Sequence, residues 1–446
     1  MRRITRLLAK HKGDTFWALL DQGAALVSST LSFMLLGRTL GATGYGAYVG
    51  LYALIGPFLA PSQSGVLLAA MEHVVRDRED PVEVARSCLS MALLNALIWV
   101  PVLSGVGLRW IEGVPAVVGF LLVGAEFFLN GILFACVGMV QALSGFSAAV
   151  RLRLTGVLSR IGLLTVLAIA HSLTLTTLAV GQVATLGVVA AFAITRLSRL
   201  LRVAARPGRI QLQHVRSVFL YGLGIAASSA QSDADKFVLT AAHHQADAGR
   251  YGAAYRLMQV VQLPVTALVG ATHLSFLHKE AGPNAQSQRA IRLSLIAMTY
   301  AVPAVICLIL MAPLVPRILT RDFAEATLIL QLLSPVVILR GVGVFPLNGL
   351  LGLGRGVLRA KLLVGNALFT LALYAAFIPK YSWRGALVAT LVSETVLCAS
   401  SWITLLLCER GLSTRTGPEH AAREAAIRTS LNDLRDTEMT KVRPEP

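Results

Sequence analysis

The most constraining feature of the chain is a series of mostly apolar blocks that recurs along its length to about Leu407. Leu178–Ile194 and Leu295–Val315 are two examples. A block of roughly 20 apolar residues is long enough to cross the hydrocarbon core of a bilayer as a helix. Only 14% of the 446 residues are charged, whereas soluble domains carry about 25%. The sequence therefore predicts a polytopic membrane protein that has no room for a sizeable soluble domain.

Twelve membrane-spanning helices are predicted from these blocks. The first follows a basic N-terminus and could imitate a signal peptide, but its apolar run is too long and is interrupted by Asp21 and Gln22. Several spans contain Gly or Pro, which membrane helices tolerate. Their approximate bounds are 16–37, 44–71, 88–108, 116–142, 154–171, 176–195, 217–240, 250–276, 293–314, 324–350, 362–379 and 385–408.

The distribution of basic residues predicts the orientation. With the N-terminus in the cytoplasm, 29 of the 40 Lys and Arg residues lie on the cytoplasmic side, seven lie outside and four lie within spans. This asymmetry follows the positive-inside rule. We therefore predict a multi-pass protein of a bacterial-type inner membrane with both termini in the cytoplasm. The placement of basic residues in the cytoplasmic segments also accounts for the net charge of +17, so the charge does not indicate nucleic-acid binding.

The two halves of the chain share landmarks at a nearly constant offset. Tyr45-Gly46-Ala47 recurs as Tyr251-Gly252-Ala253, and Pro57 recurs as Pro264. Gly145 has Gly352 as its counterpart in the matching loop. These repeats predict an all-α membrane protein of two pseudo-symmetric six-helix lobes related by an axis along the membrane normal. The predicted boundaries are 1–205 and 206–410, with a cytoplasmic tail at 411–446 that holds one helix near 419–434.

Polar side chains inside the spans are the best candidates for a binding site, because hydrocarbon penalises them unless they face protein or water. Three spans carry a polar stripe at helical spacing. The first stripe is Asp21, Ser28 and Ser32; the second is Tyr221, Ser228, Ser232 and Asp235, beside Asp233 and Lys236; the third is Tyr251, Tyr255, Gln259 and Gln262, beside Arg256. Further polar residues within spans are Glu126, Asn130, Arg160, Arg340 and Glu394.

These residues allow two interpretations. The functional one is a water-filled cavity that receives an anionic head group, since the guanidinium of arginine donates two parallel hydrogen bonds to a phosphate. The other is internal pairing, of Asp235 with Lys236 or Arg256 and of Glu126 with Asn130, because buried charges usually pair. The three stripes together favour the cavity.

Residue patterns for catalysis are missing from the sequence. It contains no Gly-x-Ser-x-Gly, no Walker loop and no His spacing typical of a metal site. The five cysteines lie in or beside apolar blocks without CxxC spacing, which indicates neither a disulfide framework nor zinc. We therefore predict a transporter without a cofactor or metal, and not an enzyme.

Two segments resemble a known family. Gly37–Gly46, with the sequence GRTLGATGYG, resembles the R-x-LG-x-x-x-YG signature of Wzx-type polysaccharide flippases. Asp235-Lys236, followed by Ala248–Arg256, resembles the D-[RK] and G-x-Y-x-x-A-x-R/K segment of the same family. Ala42 departs from the family pattern, which often has Pro there, and Arg160 is the one cation within a predicted span of the first lobe.

This resemblance to the multidrug/oligosaccharidyl-lipid/polysaccharide exporter superfamily implies two six-helix lobes with alternating access. It implies that spans 1, 2, 7 and 8 line a central cavity. It implies an undecaprenyl-diphosphate-linked oligosaccharide as substrate, in lipopolysaccharide or exopolysaccharide synthesis. The expected substrate-binding residues are Arg256, Lys236, Asp235, Gln259, Asp21 and Arg340.

Three functions are compared. A flippase for a lipid-linked oligosaccharide is favoured, with membrane lipids, a polysaccharide polymerase and glycosyltransferases as expected partners. A cation-coupled drug antiporter of the same superfamily needs an acidic, aromatic cavity, whereas span 8 is basic. A membrane polymerase or ligase normally needs a large external loop, and every external loop predicted here is short.

Overall fold

The computed structural model describes residues 2–277 and 284–415, and all regular secondary structure in these residues is helical. The α-helices are α1 (Arg2–Ala60), α2 (Val66–Met71), α3 (Pro81–Trp110), α4 (Ala116–Gly124), α5 (Gly131–Ser144), α6 (Phe146–Ile169), α7 (Leu175–Leu201), α8 (Leu212–Ala241), α9 (Gln245–Leu277), α10 (Ala285–Met311), α11 (Val315–Ile318), α12 (Ala324–Leu333), α13 (Pro335–Gly352) and α14 (Gly356–Arg415). The helix predicted near 419–434 lies outside the described residues.

Short π-helical and 3-10 segments continue several of these helices. The π-helical turns are Pro61–Gly65, Glu72–Arg76 and Ala125–Asn130. Pro61–Gly65 joins α1 to α2 and Ala125–Asn130 joins α4 to α5, whereas Glu72–Arg76 extends α2 to the connection before α3. The 3-10 turns Ala312–Leu314 and Arg321–Phe323 flank α11. Single π-helical turns inside helices often occur at functional sites, and one of these three carries Glu126.

Eight segments of the described chain are long and apolar enough to cross a membrane. Two of them, Leu20–Arg76 and Gly356–Arg410, contain 57 and 55 residues, so each is long enough for two crossings. The helices α8 and α9 are outside these eight because the predicted polar stripes lower their hydropathy. Counting the two long segments twice and adding α8 and α9 reproduces the twelve predicted spans in chain order.

Each of the two long segments turns at one residue with non-helical backbone angles. Gly41 in α1 has φ 66° and ψ −176°, and Ser382 in α14 has φ 50° and ψ −133°. Both residues lie in the predicted connections between adjacent spans. A positive φ suits glycine because it has no Cβ, which explains Gly41 in the segment that resembles the family signature.

The described chain forms two compact units. The first is drawn from the described residues of Met1–Val261, Ile306–Ser334 and Ala367–Leu391. One of its cores includes Cys88, Leu133 and Cys136, and a second includes Leu51, Leu122 and Phe127. Leu, Val and Ala dominate both cores.

The second unit is drawn from the described residues of Gln262–Val305, Pro335–Asn366 and Val392–Pro446. Its core is smaller and includes Val265, Phe345 and Leu405. Gly349 packs against Leu405 within it.

Within the first unit, α1 and α9 approach each other at two glycines. A Cβ added to Gly46 would lie 1.8 Å from the carbonyl oxygen of Gln245, and one added to Gly249 would lie 2.0 Å from that of Ala42. Neither distance is possible for a real side chain. The two segments that resemble the flippase signatures therefore meet at a backbone contact that requires glycine on both sides.

Candidate functional site

A cavity of about 340 Å³ lies in the first unit, among α1, α6, α7 and the turn Ala125–Asn130. We call it the serine cavity because Ser28, Ser29 and Ser32 form one wall. Ser28 and Ser32 belong to the stripe predicted on the first span. The charged residues that line the serine cavity are Glu126, Arg153, Arg160 and Arg256.

A second cavity of about 310 Å³ lies in the same unit, among α1, α6, α8 and α9. We call it the tyrosine cavity because four tyrosines line it. These are Tyr45, Tyr48, Tyr52 and Tyr255. Its charged residues are Arg160, Asp233, Lys236 and Arg256. The serine and tyrosine cavities share Tyr45, Tyr48, Arg160 and Arg256, so they adjoin.

Asp21 lies behind the wall of the serine cavity. One of its carboxylate oxygens accepts from Nη2 of Arg153 at 2.6 Å. Asp21 is buried, whereas Arg153 lines the cavity. Asp21 thus holds a cation of the cavity wall in place, and its own predicted role in substrate binding stays a prediction.

Glu126 is the centre of a hydrogen-bond network in the serine cavity. Its Oε1 accepts from the hydroxyl of Tyr52 at 2.9 Å and from Nε2 of Gln182 at 2.8 Å. Its Oε2 accepts from Nδ2 of Asn130 at 2.9 Å. These three donors stabilise a carboxylate that is 4% exposed. The predicted contact of Glu126 with Asn130 is present.

Arg160 connects this network to both cavities. Its Nη2 donates to the hydroxyl of Tyr48 at 2.6 Å, and its Nη1 lies 3.9 Å from Oε1 of Glu126. The guanidinium also lies over the ring of Tyr52, 5.8 Å from the centroid. At 3.9 Å the ion pair with Glu126 is loose, so most of the guanidinium remains available to a ligand.

Lys236 is buried and is fully engaged by its neighbours. Its Nζ donates to the carbonyl oxygen of Ser232 at 2.6 Å and to Oδ1 of Asp235 at 3.0 Å, and it lies 3.3 Å from Oδ1 of Asp233. It also lies 3.7 Å from the centroid of the Tyr255 ring. Of the two pairings considered for Asp235, the structure contains the one with Lys236. Asp235 is 1% exposed and does not line either cavity.

Arg256 differs from the other cations of the site. It lines both cavities and is exposed to them. Its side chain lies against that of Tyr45. Among the described residues it forms no ion pair, whereas Arg153, Arg160 and Lys236 each have a carboxylate within 4.0 Å. Gln259, one turn further along α9, lines the tyrosine cavity as well.

Arg340 belongs to the second compact unit, where it has its own carboxylate partner. Its Nε and Nη2 both lie 2.7 Å from Oε1 of Glu394. This contact joins α13 to α14 inside that unit. The predicted role of Arg340 in substrate binding stays a prediction.

Sequence reasoning missed several residues of the site. The fifth predicted span begins at residue 154, which puts Arg153 in a loop, whereas α6 begins at Phe146. The signal was present, since Arg153 and Arg160 lie seven residues apart on one helical face. Gln182 was detectable as a polar side chain in an otherwise apolar span. Tyr48 and Tyr52 gave no comparable signal because tyrosine is common in apolar helices.

The comparisons with known proteins agree with this architecture. The model of the polysaccharide biosynthesis protein family matches residues 12–273, which is more than half of the chain. No curated protein matches the chain significantly.

Solved structures share the fold at low sequence identity. The inward-facing conformation of a multidrug resistance MATE family transporter of the MOP superfamily is 15% identical, with a TM-score of 0.70 over 88% of this chain and 96% of that one. The lipid II flippase MurJ, in its inward closed conformation, is 13% identical, with a TM-score of 0.59 over 96% of this chain and 94% of that one.

A MOP superfamily transporter from Pyrococcus furiosus is 13% identical to this chain, with a TM-score of 0.53 over 90% of this chain and 94% of that one. The predicted fold class, an all-α membrane protein with about twelve transmembrane helices in two six-helix lobes, is confirmed.

Proposed function

Because the chain belongs to the polysaccharide biosynthesis protein family, we propose that it is a flippase for an undecaprenyl-diphosphate-linked oligosaccharide. The substrate moves from the cytoplasmic to the external leaflet of a bacterial inner membrane by alternating access. The proposed orientation places both termini in the cytoplasm, because this puts 29 of the 40 Lys and Arg residues on the cytoplasmic side, as the positive-inside rule favours. Polymerases and glycosyltransferases of the same biosynthesis are the expected functional partners.

The observation that carries this proposal is the position of Arg256. Its guanidinium is exposed in both cavities and has no carboxylate partner among the described residues. A diphosphate is a suitable ligand because a guanidinium binds two phosphate oxygens through parallel hydrogen bonds. Among the described residues no carboxylate balances the charge of Arg256, so an anionic ligand would supply the partner that a partly buried cation favours.

The other charged and polar residues that line the two cavities are compatible with a diphosphate that carries sugars. Lys236 and Arg153 are neutralised by their own carboxylates, so they leave Arg256 and the loosely paired Arg160 to meet the anion. The serines of α1, together with Gln259, offer uncharged donors and acceptors at the cavity surface. Sugar hydroxyls require groups of this kind.

The membrane potential supplies a driving force for this direction of transport. A lipid diphosphate carries about two negative charges, and the cell interior is negative. At about 2.3 kcal/mol per charge per 100 mV, full transfer of two charges outward gains about 4–5 kcal/mol. A cation in the cavity lowers the desolvation cost of the crossing, and Arg256 is assigned that role.

The second candidate is a cation-coupled antiporter of the same superfamily. The buried Glu126 favours it, because a carboxylate with three hydrogen-bond donors could take part in ion coupling. Its surroundings argue for the flippase instead. Of the four cations that line the two cavities, Arg256 alone has no carboxylate within 4.0 Å among the described residues, so it offers a binding group to an anion and repels a cationic drug.

Complementation of a flippase-deficient strain tests the proposal. Arg256→Ala should abolish polysaccharide export at a normal protein level, and Arg256→Lys should retain part of it, since the charge remains and the two-pronged contact is lost. The matched control is Arg109→Ala, an exposed arginine that lines neither cavity. Full export by the Arg256→Ala variant would contradict the proposal.

A further inference from the structure

Two buried histidines and a glutamate converge outside both cavities. His73 lies in the π-helical turn Glu72–Arg76, Glu79 lies in the connection before α3, and His214 lies in the first turn of α8. Nδ1 of His73 lies 2.8 Å from Oε1 of Glu79, and Nε2 of His214 lies 2.9 Å from Oε2. Asp77 adds a carboxylate oxygen 3.1 Å from Nδ1 of His73.

The cluster has the burial of a built site. His73 is 5% exposed and His214 is 0% exposed, and their ring centroids lie 4.2 Å apart. The ring nitrogen of each histidine that faces away from Glu79 has no hydrogen-bond partner among the described residues. Two imidazole nitrogens and a carboxylate therefore already converge in a buried space.

We propose that His73, Glu79 and His214 bind a first-row divalent transition metal ion such as Zn²⁺. One ligand atom from each of the three residues lies within 4.8 Å of the others. A tetrahedral site with bonds of about 2.1 Å places its ligand atoms roughly 3.4 Å apart, so small side-chain movements suffice. Imidazole nitrogen together with carboxylate oxygen favours zinc-like ions over Mg²⁺ and Ca²⁺, which prefer oxygen ligands alone.

The ion would tie together distant parts of the chain. Glu79 and His214 are 135 residues apart, and His214 begins the helix that carries Lys236. In the proposed orientation the cluster lies at the cytoplasmic ends of the helices. Binding of the metal through the nitrogens that face Glu79 would place each imidazole proton on the other ring nitrogen, which has no hydrogen-bond partner among the described residues. Because ligating histidines usually have a hydrogen-bond partner on the second nitrogen, we expect the ion to bind reversibly. When bound, it would stabilise the contact between the 77–80 connection and α8.

The test uses the full-length protein in detergent micelles, stripped with EDTA and titrated with Zn²⁺. We expect one zinc per chain after gel filtration, a rise in the unfolding temperature with Zn²⁺, and no rise with Mg²⁺. His214→Gln and His73→Gln should each weaken binding at least tenfold. The matched control is His243→Gln, because His243 also contacts a carboxylate, Glu112 at 2.9 Å, but is exposed.

X-ray absorption of zinc-loaded wild-type protein keeps the test decisive if the histidine variants fail to fold. The expected spectrum has only nitrogen and oxygen ligands, with the imidazole scattering pattern and distances of about 2.0–2.1 Å. Sulfur ligands from the cysteines would overturn the proposal. So would the absence of bound zinc in the wild type, which would leave the cluster as a hydrogen-bonded contact only, or equal binding by the His214→Gln variant.

Discussion

Arg153 on α6 forms an ion pair with Asp21 on α1 across 2.6 Å. This contact joins the polar stripe of the first span to a cation at the edge of the serine cavity. Asp21 is buried, so loss of Arg153 would leave its charge without a partner. The pair therefore has a structural role that can be separated from substrate binding.

Exchange of the two residues tests this structural role. Asp21→Ala and Arg153→Ala should each lower stability by about 1–3 kcal/mol, the cost of losing a charged hydrogen bond. The exchanged variant, Asp21→Arg with Arg153→Asp, should regain part of that loss. The unfolding temperature in detergent is the measurement. Single variants as stable as the wild type would show that the pair contributes nothing.

The contact between Gly46 and Gly249 predicts a strong steric effect. Gly46→Ala and Gly249→Ala place a Cβ within about 2 Å of a carbonyl oxygen, so α1 and α9 must separate and transport should fall severely. Gly187→Ala is the matched control, because a Cβ there meets nothing within 4 Å and alanine favours the helix. Normal export by both variants at the α1–α9 contact would refute the packing.

The Lys236 contacts predict a stability effect at a position that was expected to bind substrate. Lys236→Met leaves Asp235 buried without its cation, which typically costs roughly 3–5 kcal/mol. Lys236→Met combined with Asp235→Asn removes both charges and should be less destabilised than the single variant. Thermal unfolding in detergent compares them. An inactive Lys236→Met variant with wild-type stability would instead make Lys236 a substrate ligand.

Reporter fusions test the proposed orientation. Fusions after Arg38, Arg109 and Arg250 should report the external side, and fusions after Arg78 and Arg202 should report the cytoplasm. Arg202 lies between α7 and α8, in the most basic of the predicted connections. An external signal at Arg202 would contradict the positive-inside assignment and the direction of transport.

The fold was largely predictable because a bilayer imposes simple rules on sequence. An apolar block of about 20 residues has few alternatives to a spanning helix, and the predicted spans follow the helices in order. Even the turns at Gly41 and Ser382 fall in predicted connections. The helix ends were less accurate, because α6 extends eight residues further towards the N-terminus than its predicted span.

The site was predictable in composition but not in pairing. The i,i+4 contact of Glu126 with Asn130 is local, so helical geometry indicates it directly. The contacts of Glu126 with Tyr52 and Gln182 depend on how three helices rotate against one another. Helical periodicity locates a polar face, but it does not specify which helix packs against that face. This is why Arg153 was missed as the partner of Asp21.

Outward transport of a lipid diphosphate by reconstituted protein tests the central claim most directly. The assay follows an undecaprenyl-diphosphate-linked oligosaccharide across proteoliposome membranes under a potassium-diffusion potential. We expect transport by the wild type to accelerate when the potential favours movement of negative charge, and the Arg256→Ala variant to be inactive at equal reconstitution. Equal transport by wild type and Arg256→Ala, or wild-type transport that is indifferent to the potential, would contradict the account.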